Sequence, residues 1–354
     1  MVMKHSDSNS QEHHRRGPRV TVIGGGTGLS TMLRWLKEYT ENITAIVAVS
    51  DDGGCSGILR QELGMPPPGD IRNCLVALAN VEPIMEKLLS FRFTEGKLAG
   101  QCFGNLFLAA LDGICDSFDQ AVSRMGEVLA ITGRVLPVTD ADINLKAIFE
   151  NGSVVLGESQ IYARKKAEAC RIREICLTPD HPKALPGVLS AIKEAELVVI
   201  GPGSLYTSVI PNLLVDGVTE AIAASTALKI FVCNVMTQES ETEGYTASDH
   251  LKAIINHAGQ KLVDICLVNT APAPAHLIAR YNKERAEPLR VDKEGFHDLG
   301  VRLAGCSLIG DTTTYARHDP NLLARALLSL LWEERVMDDR YCWDQKSGVD
   351  VYVW

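Results

Sequence analysis

The sequence carries a glycine-rich turn of the kind that binds phosphate. Four glycines lie within five positions, in Gly24-Gly25-Gly26-Thr27-Gly28. The turn follows an apolar run, Val20 to Ile23, and precedes a helical pattern that we expect to begin near Leu29 or Ser30. Glycine lets a ligand approach the main chain, and the helix N-terminus presents free N–H groups. We therefore predict ligand contacts at Gly25, Gly26, Thr27 and Gly28.

The spacing of this turn matches neither standard phosphate motif. The dinucleotide fingerprint needs a glycine where Leu29 stands, and the lysine of the P-loop has no counterpart. A binder of the NAD type is therefore disfavoured. A tight strand-to-helix turn without any ligand stays open as an alternative.

Two acidic loops follow. The loop VSDDGGCSG comes after the next apolar run and contains Asp51 and Asp52. Such carboxylates can hold ribose hydroxyls, ligate a divalent cation such as Mg²⁺ or act as a general base, and the alternative is a surface turn. The loop PPPGDIRN adds Asp70, which is either a third catalytic candidate or a helix N-cap.

A second anion-binding corner is predicted after the apolar run ELVVIG. There the chain reads Gly201-Pro202-Gly203-Ser204, and the alternative is a capped helix start. Asn105 lies at the start of a predicted apolar helix. Its amide would either hydrogen-bond a base or a sugar of a ligand or cap the helix.

The C-terminal third offers an aromatic ring at Tyr281 and a cation at Arg317. A guanidinium suits a diphosphate because its planar fork donates two parallel hydrogen bonds. The competing interpretation is structural: Arg317 would pair with Asp319 or cap the helix predicted from Asn321, and Tyr281 would pack within its segment.

Short runs rich in valine and isoleucine alternate with helical patterns. This alternation predicts an α/β fold: a Rossmann-like, doubly wound, mostly parallel sheet. From about 135 to 180 the period falls toward two around Asn151-Gly152, which predicts an antiparallel insertion with a hairpin. The polar stretch from Thr270 to Arg302 is predicted to be an irregular arm or lid. We expect a disordered leader at 1–17, one domain at 18–336 and a tail at 337–354.

The composition excludes several classes of protein. The 354 residues carry a formal net charge of −9, which disfavours a nucleic-acid partner. No apolar run reaches the ~18 residues of a membrane helix, and no signal peptide is evident. We therefore expect a soluble globular protein without membrane insertion. The ten cysteines and nine histidines show no metal-binding spacing. The sequence does not decide whether the protein forms a homodimer.

Several longer blocks carry a family resemblance: GGGTGLSTMLRWLK, VSDDGGCSG, PPGDIRNCLVALA, FGNLFLAAL, IGPGSLYTSVIPNLLV, CNVMTQESETEGYTASDHL and YARHDP. Together they resemble the YvcK-type gluconeogenesis factors, the bacterial branch of the family that also contains 2-phospho-L-lactate transferase (CofD). The resemblance covers roughly residues 19 to 335. It implies a cytoplasmic CofD-like protein that binds UDP-sugars, notably UDP-N-acetylglucosamine, and influences carbon partitioning into cell-wall precursors and cell shape.

The resemblance also implies roles for individual residues. Tyr281 and Arg317 correspond to UDP-sugar contacts, while the transferase branch places its substrates around the two glycine corners, Asp51 and Asp52. One departure weakens an enzymatic interpretation: Gln101-Cys102 stands where the family usually has His-Ser. The leading hypothesis is thus a UDP-sugar-binding regulator with no established activity or cofactor. The alternative is a transferase of the 2-phospho-L-lactate type that uses Mg²⁺ held by Asp51 or Asp52.

Overall fold

Short β-branched runs form the central strands, and burial of both faces explains their uniform apolarity. In the computed structural model, every residue of the first strand is buried. The structure describes residues 17–168, 170–239, 241–283, 285–310, 316–336 and 351–353. The predicted leader, apart from Gly17, and most of the predicted tail lie outside these ranges. The strands are β1 (Val20–Gly24), β2 (Ile43–Val47), β3 (Arg134–Pro137), β4 (Asn144–Phe149), β5 (Val154–Leu156), β6 (Ile172–Thr178), β7 (Leu197–Ile200), β8 (Leu228–Val232), β9 (Ile265–Asn269), β10 (Arg302–Cys306) and β11 (Tyr352–Val353).

The helices connect these strands in the manner of βαβ units. They are α1 (Gly26–Leu36), α2 (Gly54–Leu63), α3 (Gly69–Leu78), α4 (Pro83–Ser90), α5 (Phe103–Asp112), α6 (Phe118–Val128), α7 (Glu158–Glu168), α8 (Pro186–Glu194), α9 (Ile210–Leu213), α10 (Val218–Ala224), α11 (Ala247–Ala258), α12 (Ala275–Lys283), α13 (Lys293–His297) and α14 (Pro320–Val336). None of them, over the described ranges, has the length and apolarity to cross a membrane.

The main sheet has the order β11-β10-β9-β8-β7-β1-β2-β3. All neighbours pair in parallel except β10 and β11, which are antiparallel. From β1 the chain builds outward through β2 to β3, and from β7 it builds outward in the opposite direction. The strand order therefore reverses between β1 and β7, where doubly wound sheets open a crevice for ligands. This topology confirms the predicted fold class.

A separate antiparallel sheet forms the predicted insertion, with β4 between β5 and β6. Its hairpin turns at Asn151-Gly152 as predicted, and Gly152 adopts a φ of +83°. The predicted boundary was too early, because β3 pairs in parallel with β2 and belongs to the main sheet. Buried and more exposed residues alternate in both β3 and β4, so periodicity alone did not separate the two sheets.

The prediction of an irregular arm at Thr270 to Arg302 was wrong. The segment contains α12 and α13 and leads directly into β10. Leu277 of α12 is buried and packs with Val235, Met236 and Ala316 in a small apolar cluster. Helix α1 also begins at Gly26, three residues earlier than the first predicted start.

Candidate functional site

The two glycine corners meet at the point where the strand order reverses. They follow β1 and β7, which pair in parallel along Val20 to Ile23. A Cβ at Gly28 would lie 3.2 Å from the Pro202 carbonyl oxygen, so the absence of a side chain lets the two turns pack together. Gly203 is held in turn by Asn234, whose Nδ2 donates to the Gly203 carbonyl at 2.8 Å. The glycines thus serve packing as well as access.

A cavity of about 340 Å³ opens over these two corners. This volume lies within the roughly 300–1,000 Å³ range of ligand sites. Eight of the predicted contact residues line it: Gly26, Thr27, Gly28, Pro202, Gly203, Ser204, Tyr281 and Arg317. Gly25 and Gly201 lie next to lining residues in the chain. We call this space the corner cavity.

Asp70 is not the N-cap of α3, as one prediction had it. The cap position is Pro68, and Asp70 lies within the first turn of the helix. Its Oδ2 accepts a hydrogen bond from the Gly26 N–H at 2.6 Å. A Cβ at Gly25 would come within 2.8 Å of the same oxygen. An internal carboxylate therefore already holds one N–H of the predicted phosphate turn.

Burial raises the pKa of Asp70 to about 6, and the negative charge of Asp51 adds to the shift. The hydrogen bond from Gly26, the charge of Arg72 and the Asn73 amide oppose it. A pKa near 6 means that Asp70 is mostly ionised at neutral pH and becomes protonated in mild acid.

An acidic cavity of about 290 Å³ adjoins the corner cavity, and Asp51, Asp52, Glu158 and Glu241 are among its lining residues. Ser204 and Gln238 line both spaces. Gln238 Nε2 donates to Ser204 Oγ at 2.8 Å. This amide–hydroxyl pair therefore forms the boundary between the two cavities.

Asp51 and Asp52 each accept a main-chain hydrogen bond in the acidic cavity. Asp51 Oδ1 accepts from the Gly53 N–H at 2.8 Å, which closes its own loop. Asp52 Oδ1 accepts from the Ser159 N–H at 2.8 Å, at the start of α7. Asp52 thus ties the main domain to the insertion, a role that sequence reasoning did not anticipate.

Glu158 is a residue of the acidic cavity that sequence reasoning missed. Burial raises its pKa to about 8, with further contributions from Asp51, Asp70 and Glu241, against a hydrogen bond from the Thr207 hydroxyl. At neutral pH this carboxyl is therefore largely protonated and can donate a hydrogen bond. Its sequence context, GES before a helical pattern, gives no local signal, because the carboxylates that surround it come from distant segments.

Glu241 plays the same part at the second corner as Asp70 does at the first. Its Oε1 accepts from the Tyr206 N–H at 2.6 Å, where the Gly201–Ser204 corner passes into a turn of π-helix over Leu205–Val209. Glu241 is buried. It lies in the block TQESETEG that carries the family resemblance, and this was the available sequence signal for it.

The remaining predicted residues lie in two different places. Tyr281 and Arg317 line the corner cavity. Asp319 caps α14, since its Oδ1 accepts from the N–H groups of Asn321 and Leu322 at 3.0 and 2.9 Å. The cap that was predicted as one alternative role of Arg317 is therefore supplied by Asp319.

Asn105 is not among the residues that line the two cavities. It is completely buried. Its Nδ2 donates to Cys55 Sγ at 2.9 Å and its Oδ1 accepts from Arg72 Nε at 3.2 Å. In this structure the amide joins α2, α3 and α5.

No group of three or more His, Cys, Asp or Glu side chains placed to hold a metal ion occurs among the described residues. Mg²⁺ commonly takes only one or two protein carboxylates and completes its shell with water and substrate phosphates. Asp51 and Asp52, side by side at the edge of the acidic cavity, fit that lesser requirement.

The doubly wound, mostly parallel sheet with a glycine corner on each side of its switch point places the chain among the Rossmann-like α/β proteins. The sequence signature described as 2-phospho-L-lactate transferase CofD matches residues 20–309, and the chain belongs to this family.

Within this family, the chain is similar to curated proteins named gluconeogenesis factors. A protein of Thermoanaerobacterium thermosulfurigenes is 52% identical over 89% of this chain and 97% of its own length. The gluconeogenesis factor of Bacillus subtilis is 45% identical over 89% of this chain and 99% of its own length. A crystal structure of a Bacillus halodurans protein superposes with a TM-score of 0.85 at 47% identity, over 88% of this chain and 100% of that one.

Proposed function

We propose that this chain is a cytoplasmic UDP-sugar-binding regulatory protein whose ligand is UDP-N-acetylglucosamine. The observation that carries the proposal is the corner cavity, which two glycine corners line together with Arg317 and Tyr281. Main-chain N–H groups and a guanidinium suit a diphosphate, and an aromatic ring suits a base or a sugar face. The curated relatives named gluconeogenesis factor support a link to gluconeogenic growth. By the same proposal the protein influences carbon partitioning to cell-wall precursors and cell shape.

Ligand-dependent thermal stability tests this proposal. A ligand that binds only the folded state stabilises it by about 2.7 kcal/mol at 100 times its dissociation constant. We expect UDP-N-acetylglucosamine to raise the melting temperature more than NAD or GDP at equal concentration, with titration calorimetry as the second measurement. A larger shift with NAD and none with UDP-sugars would refute the proposal.

The acidic cavity and the family signature favour a second candidate function: a metal-assisted transferase acting on a nucleotide diphosphate. Asp51 and Asp52 would hold Mg²⁺, which would neutralise phosphate charge. Glu158 and Asp70 would then hold or move protons beside it.

Turnover of a nucleotide-linked substrate in the presence of Mg²⁺ separates this candidate from the regulator. Asp51→Asn removes the charge with little change of shape. We expect it to abolish turnover while leaving UDP-sugar affinity nearly unchanged. Turnover that survives in both Asp51→Asn and Asp52→Asn would exclude the metal and general-base roles.

A further inference from the structure

An unpartnered hydroxyl lies between the two glycine corners. Ser208 is 8% exposed and is one of the residues that line the corner cavity. A Cβ at Gly25 or at Gly26 would lie 3.6 Å from Ser208 Oγ, and a Cβ at Gly203 would lie 3.4 Å from the Cβ of Ser208. It is therefore the side chain of Ser208, and not only its main chain, that meets both corners.

The main-chain groups of Ser208 are already hydrogen-bonded. The N–H donates to the Ser204 carbonyl at 2.9 Å, and the carbonyl accepts from Asn212 Nδ2 at 2.8 Å. The same Nδ2 donates to the Gly24 carbonyl at 3.1 Å, and Asn212 is completely buried, so this amide fixes Ser208 relative to the first corner. Ser208 lies in the π-helical turn Leu205–Val209, and turns of this kind are frequent at functional sites.

The hydroxyl of Ser208 has no hydrogen-bond partner among the described residues, although it is not sealed from solvent. Buried polar groups in proteins nearly always have a partner, so an unpaired hydroxyl that borders a cavity indicates a contact that a ligand completes. Among the described residues outside this turn and its helix, no atom other than Ser208 Oγ comes within 4 Å of a Cβ position at Gly26. The space beside Gly26 is therefore open to a ligand atom that would reach the hydroxyl.

The surroundings of the hydroxyl favour an anionic oxygen. Asp70 takes up the Gly26 N–H, so the first corner offers one main-chain donor fewer than a free helix start. The N–H groups of Thr27 and Gly28 belong to the first turn of α1, where N–H groups have no partner within the helix, and both residues line the cavity. A hydroxyl beside this turn adds a neutral donor, and O–H groups bind charged oxygens more strongly than neutral ones.

We propose that Ser208 is a ligand-binding residue of the corner cavity, and that its Oγ donates a hydrogen bond to a phosphate oxygen of the bound nucleotide sugar. This inference rests on the proposed function and deepens it, because it assigns the diphosphate to the space between the start of α1 and the π-helical turn. The hydroxyl replaces the donor that Asp70 withdraws from the first corner.

Two alanine substitutions separate a contact with the ligand from a structural role. Ser208→Ala removes one oxygen and no internal hydrogen bond, so we expect its melting temperature without ligand to match that of the wild type. Ser225→Ala is the matched control, because Ser225 is also 8% exposed but does not line the corner cavity. Its hydroxyl donates to the Ile192 carbonyl at 3.0 Å, so this variant should lose stability and keep its affinity. Circular dichroism confirms that each variant is folded.

Titration calorimetry measures the affinity of each protein for UDP-N-acetylglucosamine and for UDP, and competition against UDP-N-acetylglucosamine measures the affinity for uridine. We expect Ser208→Ala to bind both diphosphates about tenfold to a hundredfold more weakly than the wild type does. Uridine lacks the phosphates, so its affinity should be the same for the two proteins. Ser225→Ala should bind all three probes as the wild type does.

Three results would overturn the inference. Wild-type affinity of folded Ser208→Ala for UDP-N-acetylglucosamine would show that the hydroxyl does not contact the ligand, although the proposed function stands. A loss of affinity that is confined to UDP-N-acetylglucosamine, or that is equal for uridine, would assign the hydroxyl to the sugar or to the nucleoside instead of the phosphates. If the wild type binds none of the three probes, the proposed function fails and the inference fails with it.

Discussion

Internal carboxylates distinguish both glycine corners of this site from an ordinary phosphate turn. Asp70 accepts from the Gly26 N–H, and Glu241 accepts from the Tyr206 N–H. Each carboxylate fixes its corner in shape but adds negative charge beside the place where a diphosphate would bind. A cation is therefore needed to balance the charge, and Arg317 is among the residues that line the same cavity.

Replacing Arg317 with alanine tests that balance. Hydrogen bonds to charged groups contribute roughly 1.5–3 kcal/mol, so we expect Arg317→Ala to weaken UDP-N-acetylglucosamine binding by about tenfold to a hundredfold. Arg317→Lys keeps the charge without the planar fork and should lose less. Calorimetry measures the affinities, with circular dichroism as the folding control. Unchanged affinity in folded Arg317→Ala would assign the residue a structural role.

The raised pKa of Glu158 predicts a pH dependence of stability. The fold favours the protonated carboxyl, so its contribution is fully present below the unfolded pKa of 4.5 and is lost as pH rises toward 8. Glu158→Gln mimics the protonated form at every pH. We expect the variant to match the wild type near pH 5 and to be more stable at pH 9, in urea denaturation at both values. Equal stability of the two proteins at pH 9 would contradict the assignment.

At the scale of residues, the sequence indicated the glycine corners together with Asp51, Asp52 and Asp70, but it missed two carboxylates, Glu158 and Glu241. Glycines after a buried strand identify a corner because strand, turn and helix are consecutive. Glu158 reaches the site from the insertion, and nothing in its local sequence places it there. Glu241 comes from the segment after β8, where the family block was the available signal. Asn105 shows the reverse case, since an amide at a helix start is equally suited to a buried contact such as the one with Cys55.

At the scale of elements, the insertion is attached to the main domain by specific polar contacts. Asp52 caps α7. On the other side, His257 of α11 accepts from the Ile175 N–H of β6 at 3.0 Å through Nε2 and bonds to the Ala253 carbonyl at 2.7 Å through Nδ1. Glu158, the first residue of α7, therefore reaches the acidic cavity from a part of the chain that is held from both sides.

Asp52→Ala should loosen this attachment. Loss of a capping oxygen costs about 0.5–2 kcal/mol, and we expect a decrease of that size in the free energy of unfolding. Asp52→Asn keeps the accepting oxygen and serves as the matched control, with nearly wild-type stability. Chemical denaturation of both variants provides the measurement. If Asp52→Asn loses as much as Asp52→Ala, the charge rather than the cap is responsible.

Elements whose signal is local were predicted well. The buried strands before the two corners are nearly continuous apolar runs. The Asn151-Gly152 pair favours a tight hairpin turn whatever the rest of the chain does. The boundary between the two sheets was misplaced because β3 is identified by its partner β2, which is distant in the chain. Helix α12 was missed because its apolar face is narrow and depends on Leu277 packing against Val235 and Met236.

At the scale of the whole molecule, buried histidines make stability fall on the acid side. Burial lowers the pKa of His250, His257 and His318 below the ordinary value of 6.5. Below pH 6.5 the unfolded chain then binds more protons than the folded one. The free energy of unfolding therefore decreases as the pH falls, by up to about 1.4 kcal/mol per pH unit for each histidine. Asp70 and Glu158 act in the opposite sense over the same range.

Comparison with a variant separates the histidine contribution from that of the carboxyls. His257→Gln keeps an acceptor for the Ile175 N–H but does not titrate. We expect the stability of the wild type relative to this variant to decline between pH 6.5 and pH 5, although the charge of Glu174 reduces the effect. Denaturation curves at three pH values in that interval measure the difference. A constant difference would show that His257 keeps its ordinary pKa.

The pairing of β1 with β7 has a consequence for how the protein is made. Val20 lies opposite Leu197, so the two corners come from segments about 180 residues apart. At about 5–20 residues per second, the ribosome supplies the second strand roughly ten to thirty-five seconds after the first. Contacts so distant along the chain form late and slow folding. The nascent chain must therefore keep the apolar edge of β1 from aggregating through that interval, and the corner cavity is among the last parts of the molecule to form.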